Sequence, residues 1–186
     1  MRRIVIAALS LATTAALTAA ARPSASPAHA GAAARQALDD ATIVAIFDAA
    51  NTADIETGQL AAERGHTKEV RDFGAMLVRD HKMVRQQGRD LAARLGVTPT
   101  PPTNDASARD HAAAMKRLGA LQGAAFDHGF LQHEAAFHKA VIDAVQTTLL
   151  PAIKNAEVKD LVVKVAPAFQ AHMTAAQNLD KQLAER

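Results

Sequence analysis

Six residues of this 186-residue chain combine reactive side chains with suggestive spacing: Glu56, His81, Asp127, Glu134, His138 and His172. His81 follows Leu77 by four residues and precedes Val84 by three, and His172 follows Phe169 by three and precedes Ala176 by four. Residues three and four apart share a helix face, so both imidazoles fall on apolar stripes and face a shared interior. Asp127, Glu134 and His138 recur at spacings of seven and four beside Phe130, Phe137 and Val141. Glu134 and His138 are placed to share a metal ion or a charge-assisted hydrogen bond, or else to form a boundary pair facing water. Asp127 lies near the start of its helix, where offsetting the dipole competes with a site role. Glu56 sits at the edge of an apolar face between Ala53 and Leu60, whereas Asp48 and Asp54 read as solvated and Asp80 as lateral or solvated.

Carboxylates and imidazoles enclosed together need compensation, because an unpaired buried charge costs several kcal/mol. A divalent metal is one compensator. Mixed His and carboxylate ligands suit iron, manganese or zinc, and more His favours copper. A metal-free hydrogen-bonded network is the other.

Much other chemistry is excluded. The chain has no Cys, so it holds no disulfide, thiolate or Cys-ligated zinc site. His133-Glu134-Ala135-Ala136-Phe137-His138 has its second His at i+5, not the i+4 that a zinc protease needs on one face. Glu-x-x-His pairs on two helices, phosphate loops, nucleophile elbows and dinucleotide fingerprints are all missing. A general acid–base site on His81 or His172 stays open, with no substrate implied.

The elements that carry these residues read as helices. Ile43, Ile46, Phe47, Ala50, Ala53, Thr57 and Leu60 predict a helix over about 41–64, stopped by Gly65. Thr67 caps a second over about 67–95, ended by Gly96. The turn between them is so short that the two form an antiparallel hairpin. Three prolines in 97–104 predict an extended crossover. A short helix over about 105–118, a long one over 124–149 and another over 155–184 follow, with Pro167 expected to kink or split the last. The fold class is all-α: a four-helix bundle with a proline-rich crossover and one additional short helix over 40–184.

Upstream, Arg2 and Arg3 precede an apolar run over 4–21, and Ala28-His29-Ala30 suits cleavage. Residues 1–30 read as a secretory signal peptide and 31–39 as a flexible lead-in. Without residues 1–30 the 21 basic residues fall to 18 against 19 acidic ones. That near-neutral balance predicts no nucleic-acid partner, and no other segment is apolar enough to span a membrane. The expected location is periplasmic or secreted.

The order of local motifs resembles a known family. The motifs are Ala53-Asp54-Ile55-Glu56-Thr57-Gly58-Gln59-Leu60-Ala61, the run from Val70 to Asp80-His81, Leu95-Gly96-Val97, Leu118 to Gly123 leading into Phe126-Asp127, then His138 and His172. Over about 40–184 the chain resembles the bacterial domain of unknown function 4142 family, also labelled as outer-membrane proteins. The resemblance implies a ferritin-like bundle, an export signal and no established reaction. It singles out Glu56, His81, Asp127, His138 and His172 as the metal-site residues and sets Glu134 aside. It also implies an envelope location, with an envelope protein or further copies of the chain as partners. A transmembrane β-barrel is not implied, since the helical pattern lacks alternating strands.

Overall fold

Asp39 opens the first helix, its carboxylate accepting from the Thr42 N–H at 2.8 Å. This helix, α1, spans Asp40–Arg64. Thr67 accepts from the Val70 N–H and starts α2 (Lys68–Leu95), which ends at Gly96 with a φ of 66°. That left-handed conformation is the one a helix-ending glycine adopts readily. The computed structural model describes residues 38–103 and 105–185, so the expected signal peptide and nearly all of the lead-in lie outside the described residues.

After the segment 97–106, α3 (Ser107–Gly119) turns through Gly123 into α4 (Gly123–Ala144). The long helix expected over 124–149 stops regular α geometry at Ala144 and continues as a π turn, Val145–Leu149. A short α5 (Leu150–Ala152) and the long α6 (Ala156–Ala184) complete the described chain. Pro167 does not split α6, which runs unbroken for 29 residues. Its ring removes one backbone donor, and the helix continues past it through the buried Phe169 and His172. Asn155 caps α6 through the N–H groups of Glu157 and Val158.

The fold is all-α, its helices packed as a ferritin-like bundle. α1 and α2 form one antiparallel hairpin, and α4 and α6 pack together as a second. The first is tight: a Cβ on Gly74 would lie 2.6 Å from the Gly58 carbonyl oxygen, so these helices cross with backbones nearly touching. Side-chain bonds tie the ends. Arg64 donates to the Gly119 and Leu121 carbonyls at 2.9 and 3.0 Å, and Asp40 accepts from the Lys154 and Asn155 N–H groups at 2.9 and 3.0 Å.

Two apolar layers close the interior. Ala61, Phe73, Leu77, Leu118, Phe126 and Phe130 fill one end, and Ile43, Leu91, Leu149, Ile153, Val158 and Val162 the other. The first layer draws on α1, α2, α3, α4 and α6 and the second on α1, α2, the π turn, Ile153 and α6, which leaves a middle layer around Asn51, Asp54, His81, Glu134, His138 and His172. All six are buried. No helix among the described residues is long and apolar enough to cross a membrane.

Candidate metal centre

Each long helix delivers at least one side chain to the middle layer. α1 brings Asn51 and Asp54, α2 His81, α4 Glu134 and His138, and α6 His172. The three imidazoles form a compact triangle, with ring centroids 5.5 Å apart for His81–His138, 5.1 Å for His81–His172 and 5.4 Å for His138–His172. Phe169 packs against two of them, 5.2 Å from His81 and 5.7 Å from His138.

Hydrogen bonding fixes which nitrogen of each ring carries the proton. Asn51 donates its amide to the Phe47 carbonyl at 2.8 Å, so its oxygen faces His81 Nδ1 and accepts from it at 2.9 Å. His138 Nδ1 donates to the Glu134 backbone carbonyl at 3.0 Å, and His172 Nε2 to the Asp80 carboxylate at 3.2 Å. A neutral imidazole has one donor and one acceptor nitrogen. The acceptors left over are His81 Nε2, His138 Nε2 and His172 Nδ1, all buried and without a hydrogen-bond partner. One nitrogen from each ring lies within 4.8 Å of one from each of the others.

Electrostatics keeps these rings neutral. Burial, aided by His138 and His172, pulls His81 down to about 2. Burial pulls His138 down to about 4 against the pull of its bond to Glu134. Burial also lowers His172, with Asp80 opposing. At neutral pH each ring therefore keeps one buried lone pair free of any hydrogen bond.

A carboxyl pair lies behind two of the rings. Asp54 places Oδ2 3.4 Å from His81 Nδ1 and Oδ1 3.9 Å from His138 Nδ1, and Glu134 Oε2 is 3.5 Å from His138 Nδ1. Both acids are almost wholly buried. Burial drives Asp54 well above the usual carboxyl range, with the Glu134 charge adding to it. Burial raises Glu134 to about 7, with Thr57 and Asp54 acting the other way. Asp54, Glu134 and His138 form a second group with the geometry to hold a metal ion.

The structure thus brings His81, His138 and His172 together and keeps the other two expected site residues apart from them. Glu56 points outward, 49% exposed in its side chain, and pairs with His111 Nε2 at 2.7 Å. Its place at the edge of the apolar face resolves to the solvent side, which corrects its expected inward role. Asp127 is buried but serves the α1–α2 turn: it accepts from the His66 N–H at 2.7 Å and from the Thr67 N–H and hydroxyl at 2.9 and 2.8 Å. Those backbone groups stand at the start of α2, where N–H donors lack intrahelical partners. Glu134, which the family resemblance set aside, sits in the middle layer. Asp54, a solvated position by sequence pattern, is buried, and Asp80, lateral or solvated by the same pattern, holds His172.

A helical bundle with a His and carboxylate cluster capable of metal coordination is the class that this fold and site define. The chain belongs to the family described as Domain of unknown function (DUF4142), whose model matches residues 24–179. No curated protein matches the sequence. Among solved structures, the chain is similar to CopM in the Cu(II)-bound form, with 12% identity, a TM-score of 0.59, and coverage of 78% of this chain and 98% of that one. At that identity the likeness speaks for the fold.

Proposed function

We propose that this protein binds one divalent transition-metal ion through His81 Nε2, His138 Nε2 and His172 Nδ1, in a periplasmic or secreted setting. The observation that carries the reading is the division of labour in each ring. One nitrogen is held from outside by Asn51, the Glu134 carbonyl or Asp80, while the other is buried and bare. Metal-binding histidines characteristically have their second nitrogen fixed in this way. A purely structural His network would instead spend its acceptors on neighbouring donors, so the bare nitrogens favour metal binding over a general envelope-scaffold role.

The donor set fits. Metal–nitrogen bonds of about 2.0–2.1 Å put ligand nitrogens of one ion roughly 3.3–4.1 Å apart, so the triangle needs only a small inward adjustment. Three imidazoles suit copper, zinc, iron or nickel, and copper(II) stands highest in divalent affinity. The bundle shared with CopM in its Cu(II)-bound form makes copper the first ion to test. A bound ion would supply Lewis acidity. A cation bound nearby would favour the ionised forms of Asp54 and Glu134, which burial otherwise opposes, and so gain the counter-charge that three neutral ligands lack. A metal-dependent oxidoreductase of ferritin-like type is the alternative for the same site, and it would rest on fold analogy alone.

The wider reading has residues 40–184 as a four-helix bundle, with 97–106 as its crossover and α3 as an addition. Residues 1–30 serve as an export signal and 31–39 as a lead-in. The basic, then apolar, then small-residue order of 1–30 supports export. Envelope proteins and further copies of the chain are the partners this setting offers.

Protein purified without a chelating column and loaded with Cu(II) is expected to retain about one ion per chain by elemental analysis. His81→Ala and His172→Ala are expected to lose it. Protein that stays metal-free after loading with Fe, Mn, Cu and Zn would refute the proposal.

A further inference from the structure

A second concavity opens beside the middle layer, between α1, the C-terminal end of α4 and α6. Its volume is about 390 Å³. On the α4–α6 side one wall leaves regular α geometry and the other carries a proline inside its helix. The Val145–Leu149 π turn widens one, and Pro167 leaves the carbonyl of Val163 without its usual donor on the other. Val145, Leu149, Val163 and Pro167 all line the cavity, and Val163 is 52% exposed.

The lining decides the ligand chemistry. It contains no charged residue, although 22% of the chain is charged. Its only polar side chains are the amides of Asn51, Gln146 and Gln170. Asn51 is committed to Phe47 and His81, whereas Gln146 and Gln170 are exposed at the rim. Ions, sugars and nucleotides would find no partner for their charges or hydroxyls inside. The space is roughly two and a half times the ~150 Å³ that accommodates benzene, within the range of small-molecule sites.

We infer that this cavity binds a neutral apolar molecule of medium length, its chain among Ile46, Val145, Val163 and Phe169 and a single hydrogen-bonding end at the Gln146–Gln170 rim. The inference goes beyond metal binding and does not depend on it, because the test uses metal-free protein.

N-phenyl-1-naphthylamine, a neutral fluorescent probe, is titrated into the full chain after chelation, with 1-decanol as competitor. Saturable one-to-one binding displaced by 1-decanol is expected. Ala166→Phe, which plugs the cavity from α6, is expected to weaken it at least tenfold, and Met83→Ala, at an exposed apolar residue elsewhere, to leave it unchanged. Circular dichroism checks folding. Should Ala166→Phe not fold, the smaller plug Ala50→Leu from α1 replaces it. No saturable binding to the wild type, or undiminished affinity in the folded plugged variants, would overturn the inference.

Discussion

Glu56 and His111 meet at 2.7 Å on the outer side of α1 and α3, and His128 and Asp180 meet at 2.6 Å between α4 and α6. The approaches to the three inward histidines are longer, at 3.4 Å for His81–Asp54, 3.5 Å for His138–Glu134 and, with Asp80 partly exposed, 3.2 Å for His172–Asp80. Short contact therefore does not mark the site. The surface pairs satisfy each other and remain in reach of water, so each contributes about 0–1 kcal/mol. The middle-layer groups are shut away from water with acceptor atoms left over. Unspent bonding capacity in a dry place separates a candidate ligand set from an ordinary ion pair.

Substitutions can break that contrast. The largest effect is expected for His138→Ala, which removes the ring at the centre of both buried groups. Copper affinity should fall by more than about a hundredfold in calorimetric titration, as expected for loss of one of three ligands. Next comes Glu134→Gln in metal-free protein. Glu134 titrates at about 7 in the folded chain against an ordinary 4.5. Its contribution to stability is thus full below about 4.5 and lost as pH rises through about 7. The variant should be more stable than wild type by up to roughly 3 kcal/mol at pH 8, with the difference vanishing near pH 4. Urea unfolding at the two pH values checks this.

A smaller effect is expected where the surface meets the interior. Asp80 holds His172 Nε2, and Asp80→Ala should weaken copper binding about 10–100-fold. Asp80→Asn, which keeps an acceptor oxygen, should recover most of the loss. Smallest of all is Glu56→Ala. Copper affinity should not change, and unfolding free energy should move by no more than about 0.5 kcal/mol. A large loss of copper there would mean that the outer pair, not the inner triangle, is the site.

The sequence pattern made the helices and two of the three rings easy to read. His81 and His172 each stand among large apolar neighbours at three- and four-residue spacing, so their inward direction follows from helix geometry. Asp54 was harder. The face of α1 that meets α2 is built from Asn51, Asp54, Gly58 and Ala61, all buried. Its residues are small or polar, because the Gly58–Gly74 approach leaves no room for large ones, and a search for apolar stripes passes over it. The spacing of Gly58 and Ala61 from Asp54 was the signal available. Asp127 shows the opposite failure. It shares a stripe with Glu134 but lies two turns nearer the loop, where backbone donors claim it. Height along the helix decided its role, and spacing alone does not report height.

The layering of the interior has a mechanical consequence. His81 belongs to the first hairpin, and His138 and His172 to the second, so a single guest held by all three would rivet the two hairpins across their seam. Prying the halves apart would then require surrendering that guest, and occupancy and rigidity would rise and fall together.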